Sequence, residues 1–207
     1  MENSTERSEE LSKLLYNAYS LIEEGDLPGG QKILERALSV DFESPKVQSA
    51  LKCLEFWNER VRERDRIDNT FAQAEYSIRQ WQSFQSYAEG LEDLDEECYF
   101  AVKRYVFTYA IYQFSSFQSE GSRTDSDIPY NIAHCYKELG DYEQAISHYQ
   151  TALSSRPGDS RIMAELADCY ALINEVRFAK AFFREAFYTD PRRVDLSKLE
   201  SELILRL

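Results

Sequence analysis

Glycine and proline are scarce in this chain, at 7 and 5 among 207 residues. A sandwich or barrel of many short strands needs turn residues every ten positions or so, and this chain cannot supply them. The scarcity excludes that class and favours long helices joined by few turns. Histidine is scarcer still, with only His134 and His148, and the four cysteines (Cys53, Cys98, Cys135 and Cys169) form no C-x-x-C pair. No H-E-x-x-H, Gly-x-Ser-x-Gly or glycine-rich phosphate loop occurs. His134 and Cys135 are adjacent, but neighbouring residues on a helix point about 100° apart and do not converge on one ion. The sequence therefore predicts no enzyme, no metal and no cofactor. Positive charge is also in deficit, 24 Lys and Arg against 37 Asp and Glu, for a net charge of −13. That argues against nucleic acid and anionic membranes as partners and favours basic ones. No apolar run approaches the roughly 18 residues that cross a bilayer. The start, MENSTERSEELSKLL, lacks the basic and apolar segments of a secretory signal. A cytoplasmic chain with reduced, buried thiols is the expectation.

What is present is an apolar content of 43%, enough for a sizeable core, and a sentence written twice. Residues 134–157 read HCYKELGDYEQAISHYQTALSSRP, and residues 168–191 read DCYALINEVRFAKAFFREAFYTDP. In register, Ile132-Ala133, Tyr136, Ala145, Tyr149, Ala152 and Pro157 align with Leu166-Ala167, Tyr170, Ala179, Phe183, Ala186 and Pro191. Small residues at a fixed spacing allow two helices to cross closely, and the large rings fill the space between crossings. Gly140 suits a left-handed helix end, Asp141 an N-cap, and Gln144 the return bond of a capping box. Asn174, the next most tolerant residue, stands where the second copy would place glycine. Pro157 and Pro191 stop the second helix of each pair.

These offsets resemble the tetratricopeptide repeat (TPR) family, whose period is about 34 residues. The resemblance implies an all-α solenoid of helical hairpins with a right-handed superhelix and about ten helices. It also implies an adaptor that binds a peptide or partner protein in the concave groove lined by the first helix of each repeat. Two consensus repeats are expected at 128–191, and a divergent N-terminal hairpin at 1–44, carried by Ala18, Gly25-Asp26, Leu34 and Ala37-Leu38. Asn17, Gly30 and Phe42 depart from the pattern there. One repeat cannot bury its own apolar face, so the last one needs a cap. Residues 192–207 are read as a capping helix through Leu196, Leu199 and Leu203, with Leu205 and Leu207 either frayed or a dimer contact.

Residues 45–118 are helical without matching the 34-residue template. Val47, Ala50, Leu54, Trp57 and Val61 form one stripe, and Phe71, Ala74, Ile78, Trp81, Gln85 and Ala88 another. A turn near Asp68 or Asn69 separates them, unless one helix runs unbroken from 46 to 88. The alternating charges of residues 59–66 predict a solvated, ion-paired face. In 98–117, aromatic residues cover most of the circumference, which fits either a central buried helix or a homo-oligomer contact. Residues 119–127 read as a polar linker.

Mapped residue by residue, the resemblance puts the groove at Asp127, Tyr130, Asn131, His134, Lys137 and Glu138 in the first repeat. In the second it falls on Arg161, Ala164, Asp168, Ala171 and Leu172. Asn131 and Arg161 match two positions of the subclass that clamps a carboxylate terminus. Glu165 stands where that subclass has arginine and would repel a carboxylate, so no such clamp is expected. Because their helices stack about 8–10 Å apart, Cys135 and Cys169 are predicted to stay unbridged.

Overall fold

The computed structural model describes residues 2–119 and 127–206, so most of the expected linker at 119–127 lies outside them. The described residues form nine α-helices, a few short 3-10 turns and no strand. They divide into two compact units between Ala110 and Ile111.

The first unit opens with a hairpin of α1 (Glu2–Glu23) and α2 (Leu27–Val40). Gly25 turns the chain at φ +89°, and the Asp26 carboxylate caps α2 by accepting from the Gly29 amide. Ala18, Leu34 and Ala37 are fully buried. Gly30, one of the departures from the repeat pattern, has a local reason. A β-carbon there would lie 2.9 Å from Ile22 Cγ1 and 3.2 Å from the Ala18 carbonyl oxygen. This crossing is too tight even for alanine. The other departures, Asn17 and Phe42, are exposed.

Next come α3 (Pro45–Arg64) and α4 (Thr70–Glu89), separated by a turn, so no single helix spans 46–88. Asn69 caps α4, its side chain accepting from the Ala72 amide. The buried stripe of α4 is Ala74, Ser77, Trp81, Phe84 and Ala88. Gln85 is exposed and Phe84 fully buried, which corrects the sequence stripe by one position. Phe84 lies 5.6 Å from the Trp57 ring, 5.4 Å from Trp81 and 5.8 Å from Tyr99, so rings from three helices converge on it. The third is α5 (Glu96–Ser119), entered through Asp95, whose carboxylate accepts from the Cys98 amide. Up to Ala110, α5 is buried on most sides within the first unit, but Phe100, Arg104 and Thr108 stay exposed; Tyr112, in the part of α5 that belongs to the second unit, is exposed too.

The charged run 59–66 is only partly a solvated face. Arg60 pairs with Glu59 at 3.0 Å. Arg64 turns inward instead: its guanidinium stacks 3.7 Å from the Tyr109 ring centre and donates to the Tyr105 hydroxyl at 2.7 Å. The tyrosines of α5 supply a cation–π seat that the local sequence around Arg64 does not announce.

The second unit holds α6 (Asp127–Glu138), α7 (Tyr142–Ser155), α8 (Ser160–Leu172) and α9 (Val176–Thr189). Tyr142 and Val176, which open the second helix of each pair, are 34 positions apart. All six predicted crossing alanines (133, 145, 152, 167, 179 and 186) are completely buried. Gly140 and Asn174 both take the left-handed conformation, at φ +77° and +63°. Asp141 caps α7 by accepting from the Gln144 amide. The Gln144 side chain is exposed and makes no return bond among the described residues. Cys135 and Cys169 are buried free thiols, as are Cys53 and Cys98. Burial pushes the Cys135 thiol well up and Cys169 to about 12, so neither is a ready nucleophile.

The C-terminal segment differs from the expected capping helix. It runs through three 3-10 turns, Pro191–Arg193, Leu196–Lys198 and Glu202–Arg206, joined by extended backbone. Leu199, Leu203 and Ile204 pack on the cluster of Met163, Ala164, Ala167 and Phe183, so the segment covers the last repeat as a cap must. Leu196, expected on the packing face, is exposed. Helix is prevented because backbone amides of this segment are taken by a side chain of α8, described below.

Candidate functional site

The inner faces of α6 and α8 lie side by side, with α7 between them in sequence. On α6, Tyr130, His134 and Lys137 step by four and three residues and share one face. On α8, Arg161, Glu165 and Asp168 do the same. The pairing makes three rungs. In the first, the Arg161 guanidinium lies 4.2 Å over the Tyr130 ring. In the second, Glu165 accepts from the Tyr130 hydroxyl at 2.5 Å and the Tyr149 hydroxyl at 2.6 Å, with His134 Nδ1 3.8 Å away. In the third, Lys137 Nζ meets Asp168 at 2.8 Å, and both side chains are essentially sealed from solvent.

The charges within the face hold one another. Burial alone would raise the Glu165 carboxyl. The nearby His134, the charge of Lys137 and the Tyr130 hydroxyl outweigh it and hold the group at about 2. Burial likewise opposes the Lys137 charge, but Asp168 and Glu165 outweigh it and keep the ammonium above its usual range. Tyr130 moves upward, through burial first and then the Glu165 charge, so it stays a hydroxyl donor.

The third rung has a further occupant. Lys137 Nζ donates to the Lys198 carbonyl at 2.7 Å. Asp168 accepts from the Glu200 amide at 2.8 Å and the Ser201 amide at 2.9 Å. The chain's own C-terminal segment thus lies on the inner face, read through its main chain. Packed against α7 and α9 and covered by this segment, α8 is buried along eight successive residues, from Ile162 to Cys169. Of the residues expected to line the groove, Tyr130, Lys137, Ala164 and Asp168 are buried. Asn131, His134, Glu138, Arg161, Ala171 and Leu172 keep part of their surface exposed. Asp127 is half exposed and ion-paired with Arg156.

Glu165 is the residue that reasoning from the sequence undervalued. It was placed as a repulsive substitute for arginine, whereas it is the acceptor on which the face is organised. Its signal was a carboxylate flanked by Ala164 and Leu166, 35 positions from Tyr130 and thus one repeat away on the same face. No cluster of three or more metal-ligating side chains exists among the described residues. No helix among them is long and apolar enough to cross a membrane.

Residues 130–159, most of α6 with all of α7, match the family model described as Tetratricopeptide repeat. That stretch is therefore a TPR unit, and repeats of this family are in general protein-interaction modules rather than catalysts. Among solved structures the chain is similar to MamA of MSR-1, at 17% identity over 88% of this chain and 97% of that one, with a TM-score of 0.40. It is also similar to MamA of AMB-1, at 14% identity over 87% and 99%, again with a TM-score of 0.40. No curated protein matches the chain.

Proposed function

We propose that this chain is a protein-interaction adaptor that binds a peptide or a partner protein along the inner face of α6 and α8. The observation that carries the reading is the set of partly exposed polar side chains at the edge of that face, Asn131, His134, Glu138 and Arg161, standing over a buried and fully charged base. Side chains held by a rigid base lose little entropy on binding, which favours recognition. The surplus of negative charge favours a basic partner by steering its approach.

Tyr130 is unsuitable as a probe, because its hydroxyl bonds Glu165 inside the core. The informative variant is Asn131→Ala/Glu138→Ala/Arg161→Ala in the full chain. It is expected to weaken capture of a partner purified from the native cell by at least tenfold while leaving the circular dichroism unchanged. Undiminished capture by the folded variant would remove the groove from consideration.

A second reading is homo-oligomerisation through α5, favoured by the exposure of Phe100 and Tyr112 at 59% and 69%. Arg104 and Thr108 lie between them, and Arg104 faces Glu23 at 3.4 Å, so the apolar surface is interrupted. The groove reading is the better supported. Light scattering at micromolar concentration separates the two: a monomer sinks the oligomer, and a dimer lost in Phe100→Ser/Tyr112→Ser establishes it.

A further inference from the structure

The third rung treats residues 198–201 as a peptide-binding protein treats its ligand. We propose that Lys137 and Asp168 form a main-chain-reading peptide site whose resident occupant is the chain's own segment 196–204. A partner peptide with the same bent main chain displaces that segment by offering the same carbonyl, the same two successive amides and an apolar side chain at the Leu199 position. This deepens the groove reading and rests on it.

The bonding pattern has three properties of a recognition site. First, Lys137 and Asp168 contact only main-chain atoms of the segment: the Lys198 carbonyl and the Glu200 and Ser201 amides. Such contacts do not depend on the occupant's side chains, so any peptide whose main chain bends to bring two successive amides to one side fits them. Second, the pair is complete without the segment. The ammonium and carboxylate meet at 2.8 Å and neutralise each other, so no lone buried charge is left when the occupant leaves. Third, the side-chain anchoring is short. Leu199, Leu203 and Ile204 are only partly buried, and Lys198 is exposed. On its other flank the segment leaves a cleft of about 880 Å³ against α9, lined by Lys180, Phe183, Arg184, Phe187, Leu196 and Ile204.

An occupant tethered to its own site competes at an effective concentration in the millimolar range. The wild-type chain is therefore closed to a free peptide of equal intrinsic affinity at micromolar concentration. A partner opens it by binding more tightly, or by engaging the Asn131, Glu138 and Arg161 rim at the same time.

The test weakens the tether without shortening the chain. Ser201→Pro in the full-length protein removes one amide that Asp168 accepts. The probe is a fluorescein-labelled synthetic peptide of residues 195–207, compared with the same peptide N-methylated at the Ser201 amide. Fluorescence anisotropy is expected to show the native peptide binding Ser201→Pro at least tenfold more tightly than it binds wild type. The N-methylated peptide should lose at least tenfold on the variant. Equal binding to both proteins, or indifference to N-methylation, overturns the proposal. Should Ser201→Pro not fold, amide exchange in the wild-type protein decides instead. The Glu200 and Ser201 amides are expected to be at least a hundredfold less protected than that of Ala167, because the segment opens without the core. Equal protection would make the segment a permanent cap and end the proposal. Partner capture lost in the rim variant, together with no peptide binding to Ser201→Pro, would leave the groove reading standing and the displaceable segment refuted.

Discussion

Two regions of the molecule, α6 to α9 and α3 to α5, solve one problem, stacking helices, with opposite side chains. In the second unit alanines at the crossings let short helices of 12 to 14 residues approach closely. Across α3, α4 and α5 the helices run 20 to 24 residues, and the space between them is filled by Trp57, Trp81, Phe84, Tyr99 and Phe107. A small residue tolerates one neighbour distance and must recur at a fixed interval, which writes a period into the sequence. Rings of different sizes interlock locally and need no interval, so the same kind of layering leaves no repeat. The N-terminal hairpin belongs with the alanine solution, since Ala18, Gly30 and Ala37 stand at its crossing.

The sharpest way to break the comparison is to exchange the two solutions. Phe84→Ala leaves a cavity among three helices and is expected to cost about 4 kcal/mol. Both tryptophans of the chain, Trp57 and Trp81, lie in the first unit. The loss should therefore appear as a lowered urea midpoint in tryptophan fluorescence.

Glu165→Gln probes the charged face of the second unit. Its carboxyl sits at about 2 in the fold, against an ordinary value near 4.5. A depressed carboxyl contributes stability that is fully present above about pH 4.5 and is lost as pH falls towards 2. The variant should be less stable at pH 7 by about 3 kcal/mol, the equivalent of that shift. Its stability should also vary less between pH 4.5 and 2 than that of wild type. Urea melts across this range would show it, and parallel curves would mean that His134, Lys137 and Tyr130 do not hold the carboxylate as argued.

Ala145→Leu overfills a crossing that has no spare volume and should cost about 2 kcal/mol. Here the far-UV circular dichroism midpoint should fall while the tryptophan fluorescence midpoint changes little. Equal shifts in both signals would show that the two packing solutions melt as one.

The smallest effect is expected at Gly30→Ala. Alanine gains about 1 kcal/mol in helix propensity, yet its β-carbon would press on Ile22 and the Ala18 carbonyl. A net destabilisation of about 1 kcal/mol in a thermal melt is expected. A rise in stability would mean that α1 and α2 separate more easily than their burial implies.

The helices, their caps and the two aligned repeats were legible because each depends on residues within one or two turns. Asn69, Asp141, Gly140 and Asn174 act on their own backbone neighbourhood, and the alanine interval is a property of the chain itself. The stripe in α4 slipped by one position because Gln85 and Phe84 are adjacent, and only the rings of α3 and α5 decide which turns inward. Arg64 read as a surface charge because the tyrosines that seat it lie about 40 positions later. The groove residues were found as positions, but their state was not, since Lys137 and Asp168 look the same in sequence whether open or occupied.

By itself the sequence determined that this chain is helical, where its hairpins turn, and that residues 128–191 repeat, because those features rest on short-range geometry and a fixed interval. Only the tertiary structure decided that the C-terminal segment would forgo a helix and lie on the inner face. Asp168 takes amides 32 and 33 residues away, and a buried carboxylate facing two main-chain donors outcompetes the local hydrogen bonds that the leucine spacing alone would favour.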